Sequence, residues 1–312
     1  MRILVTGGAG VIGSNVADRF LALGHEVAVL DNLSTGRREN LEPRIRLYEA
    51  DLVDRETVEK VVADFRPDVV DHHAAQIDVR ASVERPVHDA TTNILGGIGL
   101  LEACVRHGVK KLIYASTGGA LYGEGKKLPA TEDHPAHPES PYGVSKFALE
   151  HYVYCFRLLH GLDATVLRYP NVYGPRQNPH GEAGVNAIFI GLMCEGQSPT
   201  IFGDGEQVRD YVYVDDVVAA NELALTKGSG ETVNLGWGRG VSVNDIVRHL
   251  KAILNFPGEP VHAAPRAGEV QRIYLDASRA KAVLGWTPKV PFEEGLRRTV
   301  EWYLSERAAG RR

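Results

Sequence analysis

The chain has 312 residues, 44% of them hydrophobic and 24% charged, with a formal net charge of −5. A chain of that length can bury a substantial core and divide into two lobes. The negative balance gives no electrostatic reason to expect a nucleic-acid or anionic-membrane partner, and no apolar run approaches the ~18 residues of a membrane span.

The first element is a short apolar strand at residues 2–6, so no signal peptide is expected. It breaks at Thr6-Gly7, and Gly7, Gly10 and Gly13 follow at intervals of three. Helical periodicity starts at Val11. Strand, glycine turn and helix in that order suit a dinucleotide. The bare glycines allow a tight turn and close backbone approach to a pyrophosphate, while Val11 and Ile12 bring amides at the helix N-terminus. A second strand, 26–30, ends at Asp31, 18 residues after Gly13. An acid there can accept the ribose hydroxyls of NAD and would repel the 2′-phosphate of NADP, although Arg37 and Arg38 stand close by.

Further strands are expected at 45–49, 68–72, 110–115 and 163–168, with helices near 11–24, 54–65, 83–107 and 141–161. The alternation predicts a doubly wound parallel sheet with helices on both faces, a Rossmann domain spanning 1–170. After Pro170 the composition changes. Gly, Pro and Asn cluster through Gly184, and shorter, irregular elements follow. A smaller C-terminal α/β lobe over 171–312 is predicted to bind substrate, with room for some later segments to return to the sheet. Its cleft belongs at the carboxyl ends of the strands. The tail, 292–306, reads as a surface helix. Cys104, Cys155 and Cys194 are odd in number and lack metal-ligand spacing, so free buried thiols in a reducing cytoplasm are expected, with no metal.

Tyr142 and Lys146 are the most informative pair. On a helix, a spacing of four puts phenol and ammonium on one face. A cation beside a phenol favours the phenolate, drawing a pKa of roughly 10 towards the working pH. A tyrosine tuned that way can take a proton from an alcohol and return it. In isolation such pairs are common on exposed helices; the glycine turn upstream gives this one its meaning.

Several motifs coincide: Thr6-Gly-Gly-Ala-Gly-Val-Ile-Gly13, Asp31-Asn-Leu33, Asp51-Leu52, His72-His-Ala-Ala75, Ser116-Thr117, Tyr142-Gly-Val-Ser-Lys146, Arg168 to Pro175 and Arg209 to Asp216. Jointly they are specific, and over essentially its whole length the chain resembles the extended short-chain dehydrogenase/reductases of the nucleotide-sugar branch, most of all the 4-epimerases of that branch. The resemblance implies bound NAD and a UDP-hexose substrate, UDP-glucose or UDP-galactose. It places Asn32, Asp51 and Leu52 at the adenosine end. His73, Ala74 and Ala75 would pass the pyrophosphate and nicotinamide side, and Asn93 and Tyr169 would face the cofactor. Tyr142 would be the acid/base and Lys146 would hold the nicotinamide ribose. Thr117, with Ser116 as the alternative, would hydrogen-bond the reacting sugar hydroxyl. Asn171, the 183–189 segment, Arg209, Arg266 and Glu269 would hold the nucleotide. A homodimer through 83–107 and 141–161 is also implied.

Plainer roles compete with some of these. Asp51 could cap the helix beginning near Asp54, His72 could be a core histidine, and Asp215 and Asp216 are expected to cap a helix beginning at Val217. Dehydratases and decarboxylases of the branch carry an acid just after the Ser/Thr, whereas this chain has Gly118, Gly119 and Ala120, with Glu124 a poor substitute. Chemistry that only oxidises and re-reduces one carbon is therefore expected; the alternative is another reaction on the same scaffold, on a uronic or N-acetylated sugar, or a dehydratase, decarboxylase or reductase. A non-catalytic dinucleotide sensor would be expected to lack Tyr142, Lys146 or Thr117. Ile273, matching a position beside the sugar C2 group, is expected to leave room for an N-acetyl substituent.

Overall fold

Ile3, Leu4 and Val5 are completely buried in β1 (Arg2–Thr6), as befits a parallel strand covered on both faces. The chain continues through α1 (Val11–Ala22), β2 (Glu26–Asp31), β3 (Arg46–Glu49), α2 (Arg55–Phe65) and β4 (Val69–His72). Next come α3 (Val79–Glu84), α4 (Pro86–Ala90), α5 (Gly97–Arg106), β5 (Lys111–Thr117), α6 (Pro141–His160) and β6 (Asp163–Tyr169). This computed structural model describes residues 1–125, 127–179, 184–265 and 270–310.

The second part holds β7 (Asn171–Tyr173), α7 (Val185–Cys194), β8 (Thr200–Phe202), β9 (Val208–Arg209), β10 (Tyr211–Tyr213) and α8 (Val214–Ala224). It ends with β11 (Thr232–Asn234), β12 (Val241–Ser242), α9 (Val243–Leu254), β13 (Val261–Ala263), β14 (Arg272–Ile273), α10 (Ser278–Leu284) and α11 (Phe292–Ala308).

Seven strands form one sheet in the order β11-β6-β5-β4-β1-β2-β3, with every pairing parallel. The order reverses at β1, between β2 and β4, and the crevice beyond their carboxyl ends is where such sheets bind ligands. One face of the sheet packs Val5, Val69, Ile113 and Leu167 in a core that continues into α1 and α8. The other packs Leu4, Val70, Leu112 and Tyr114 towards α2, α5 and α6. The return of β11 to the sheet, and of α8 to its face, makes the predicted boundary at residue 170 a crossing point and not the end of the first unit.

Two expectations need correction, and one alternative falls away. The single helix at 83–107 is broken. Pro86 starts α4 and constrains Arg85, which takes φ −133°, ψ 62°, and Thr91–Gly96 form a π-helical turn before α5. Asp215 and Asp216 do not cap a helix at Val217, because α8 already begins at Val214. They lie in its first turn, where the dipole favours acids, and Asp216 accepts backbone N–H groups from Lys289 (3.0 Å) and Val290 (2.9 Å). Lastly, Asp54 caps α2 through the Thr57 amide (3.1 Å). Asp51 instead accepts from Val53 N and Asn32 Nδ2, both at 3.0 Å.

Candidate active site

At the switch point Gly7 has φ +67°, and a Cβ there would stand 2.5 Å from Ala74 N and 2.8 Å from the His73 carbonyl carbon. Only glycine lets the β1 and β4 loops press together. A Cβ on Gly13 would meet Gly7 O at 2.4 Å, so helix and turn are equally close. The N-cap of α1 is Gly10, with no side chain to cap it. The first helical amide to bond back is Ser14 N to Gly10 O (3.1 Å), which leaves the amides of Val11, Ile12 and Gly13 aimed out of the helix end. That cradle fits a pyrophosphate. Asp31 is buried and accepts from Ala9 N (2.9 Å) and Leu33 N (2.8 Å), locking the glycine turn beside it. Arg38 is ion-paired with Glu49 at 3.0 Å, which removes one of the two cations that could have welcomed a 2′-phosphate.

Tyr142, Lys146 and Glu150 rise one above another on α6, whose start is capped by Ser140. Lys146 is buried with Nζ 4.6 Å from the centre of the Tyr114 ring. The expected downward pull on Tyr142 is not what the structure shows. Desolvation, reinforced by the Asp89 charge and opposed by a hydrogen bond with Thr117, pushes the phenol up to about 12. Burial likewise brings Lys146 down to about 7, against the pull of Glu150 and Asp89. Removing both groups from water outweighs their mutual effect.

Thr117 thus stands beside Tyr142, and its Oγ1 also accepts from Ala120 N (3.2 Å). Ser116 is turned away. Its hydroxyl donates to Glu150 (2.5 Å), which pairs with Arg168 at 2.6 Å. Arg168 in turn donates to the Tyr122 hydroxyl (2.8 Å), which bonds Asn234 of β11 (2.8 Å). The loop after Thr117 holds no acid, and its first residue is closely packed: a Cβ on Gly118 would be 2.4 Å from Leu275 Cδ1. At Gly119 a Cβ would lie 3.2 Å from Asn171 Oδ1. Glu124 is committed elsewhere, accepting from Gln271 N (2.6 Å) and Arg272 N (3.1 Å).

The remaining predicted residues divide between cleft and scaffold. His72 is buried, 2.7 Å from Thr6 Oγ1 and stacked on Tyr114, and burial holds its pKa well down; it is a neutral core histidine. Asn93, in the π-helical turn, accepts from Gln76 N (2.7 Å) and donates to Gln76 O and Ser145 Oγ, both at 3.0 Å. With its amide so engaged it positions the 74–76 loop. Tyr169 bonds Asn221 through its hydroxyl and takes Gly118 N (2.7 Å) on its carbonyl, so it too positions a loop. Ile273 is only 2% exposed and packs with Leu121, Tyr122, Ala130 and Leu275. It offers no face to a sugar, and the expected room for an N-acetyl group loses its support.

On the other side of the crevice lies a cleft of about 290 Å³, lined by Asn171, Val185, Phe189, Phe202, Arg209 and Arg80 among others. Arg209 Nη1 donates to Val208 O at 3.0 Å. Arg266, Glu269 and, of the 183–189 segment, Ala183 lie outside the described residues. Sequence reasoning missed Asp210, although its motif was in view. Asp210 is 2% exposed and accepts from the backbones of Trp237, Leu275 and Gly238. Burial lifts its carboxyl to about 7 against those bonds. Glu150, one helical turn past Lys146, was equally findable from its spacing.

A glycine turn for a pyrophosphate, a Tyr-x-x-x-Lys pair with a half-buried tyrosine and a buried lysine, and a second cleft across a switch point define a dinucleotide-dependent enzyme acting on an alcohol. A model of the NAD dependent epimerase/dehydratase family matches residues 3–236. A UDP-glucose 4-epimerase of Mycolicibacterium smegmatis is 45% identical over 98% of this chain and 99% of its own length. Among solved structures, a UDP-glucose 4-epimerase of Thermotoga maritima with UDP-glucose is 52% identical, with a TM-score of 0.96 over 98% of this chain and 99% of that one. The Thermus thermophilus UDP-glucose 4-epimerase complex with NAD is 47% identical, with a TM-score of 0.93 over 97% and 99%. The chain belongs to the NAD dependent epimerase/dehydratase family.

Proposed function

We propose that this protein catalyses NAD-dependent 4-epimerisation of a UDP-hexose, interconverting UDP-glucose and UDP-galactose through a transient 4-keto sugar. The observation that carries it is the pairing of Thr117 with Tyr142 above a loop whose Gly118 and Gly119 carry no second proton-transfer group. The likeness to 4-epimerases along the whole chain supports it. When bound, NAD takes up and gives back the C4 hydride and brings a positively charged ring to the site.

Tyr142, its phenolate favoured by the positive ring of bound NAD and steadied by Thr117, would take the 4-hydroxyl proton as the ketone forms and return it as the alcohol re-forms. Lys146, directly behind it, holds the ribose side. The apolar and cationic cleft grips the nucleotide, and the hexose turns its other face to the cofactor. UDP-galactose incubated with purified protein and followed by proton NMR and mass spectrometry should give UDP-glucose of unchanged mass. Loss of water would sink the reading.

The outward face of α6 supports a homodimer. Val144, Tyr152, Tyr154, Leu158 and Leu159 are exposed on one side, while Lys146, Leu149 and Val153 face the core. Val83, Val87 and Leu95 extend the apolar surface onto the neighbouring segments. The cysteines are all free, as expected, but only Cys104 is buried; Cys194 is half-buried and Cys155 exposed. Unpaired thiols suit a cytoplasmic enzyme. Among the described residues no helix is long and apolar enough to cross a membrane.

A further inference from the structure

Arg80 has no part in the motifs that define the family likeness. It stands on α3, in the dinucleotide half, yet it lines the same cleft as Arg209 and Asn171 of the smaller lobe. The cleft wall holds two guanidinium groups and, among the described residues, no carboxylate at all. In a chain with a net charge of −5, that is a local reversal of sign. Some exposed arginines elsewhere pair with acids, as in Arg38–Glu49, Arg55–Glu102 and Arg297–Glu294, and others, such as Arg66 and Arg85, stand in the open surface outside this cleft. Arg80 has no such partner among the described residues, although Glu84 is one turn along the same helix.

The helix that carries Arg80 is fixed at its base. Asp78 caps it through Ala81 N (2.8 Å), and Gln76 ties that cap to Asp89 (3.0 Å) and Asn93 (2.7 Å). Asn93 reaches on to Ser145 of α6. That lattice fixes the backbone of α3, and with it the root of the Arg80 side chain, relative to α6. The apolar end of the cleft, with Phe189, Ile201 and Phe202, suits a base and not an anion. Asn171, whose Oδ1 faces Gly119, marks the sugar end. An anion between those ends would lie within the span of both arginines.

We propose that Arg80 binds the diphosphate of the nucleotide sugar from the dinucleotide side, so that the diphosphate is clamped between it and Arg209. The assignment rests on the UDP-hexose reading. One anion gripped from both lobes fixes the nucleotide while leaving the hexose free to turn.

Calorimetric titration of the full-length protein with UDP and with uridine tests this. Arg80→Ala should weaken UDP by about tenfold to a hundredfold and leave uridine unaffected. Arg80→Lys should restore part of the loss, and added salt should narrow the gap between wild type and Arg80→Ala. Unchanged UDP affinity would overturn the assignment. So would an equal loss for uridine and UDP, which would make Arg80 a packing residue. Unchanged UDP affinity with selective loss of turnover on a uronic nucleotide sugar would place Arg80 on a C6 carboxylate instead, again overturning it. A wild type that binds UDP without epimerising UDP-galactose would fail the 4-epimerase reading while leaving the Arg80 result standing.

Discussion

Ser116 and Thr117 are neighbours in sequence with opposite fates, because successive side chains of a strand point to opposite faces. Thr117 reaches Tyr142, and Ser116 joins the buried Glu150–Arg168 pair. Their substitutions should therefore be read out differently. Thr117→Ala should cut kcat by about 10²-fold or more with little change in melting temperature. Glu150→Gln leaves Arg168 charged and buried without its counter-ion, a change that costs about 3–5 kcal/mol when such a pair is broken, and should show as a lowered melting temperature. Full turnover by Thr117→Ala would remove that residue from the chemistry; an unshifted melt for Glu150→Gln would show that water reaches Arg168. The spacing of Tyr142, Lys146 and Glu150 was legible in the sequence. The direction of the Tyr142 shift was not, because spacing gives proximity and says nothing of desolvation.

At the scale of elements, strands were the easiest to read, since parallel strands covered on both faces carry unbroken apolar runs such as Ile3 to Val5. Helix 83–107 was misread because its apolar periodicity runs through a break. Pro86 marks that break in sequence, but the π-helical turn at Thr91–Gly96 leaves no such mark. That extra residue per turn swings Asn93 inward onto the Gln76 loop, and π-turns recur at functional sites for such reasons. The apolar outer face of α6 makes its own prediction. Leu158→Glu with Leu159→Glu should convert a dimer to a monomer in analytical ultracentrifugation. A wild type that already sediments as a monomer would end the proposal, leaving an apolar surface that needs another explanation.

For the molecule as a whole, the Tyr142–Lys146 pair links stability to pH. The folded pKa of Lys146 is depressed to about 7 from 10.5. Between those values the unfolded chain keeps a proton that the folded chain has shed, so this group makes stability rise with pH from about 7 to 10.5. Tyr142 is raised from 10.0 to about 12, and over that window it makes stability fall as pH rises. Urea midpoints measured from neutral to alkaline pH should climb more steeply for wild type than for Lys146→Met; identical slopes would show that Lys146 keeps its proton in the fold. A different whole-molecule property follows from β11. The chain leaves the large sheet after β6, builds part of the smaller lobe, returns through α8 and β11, and departs again. The two lobes are interlaced like stitches through cloth. No single cut separates one from the other, so the smaller lobe cannot be traded between relatives as a cassette. New substrate preferences on this scaffold must arise through side chains and loops in place.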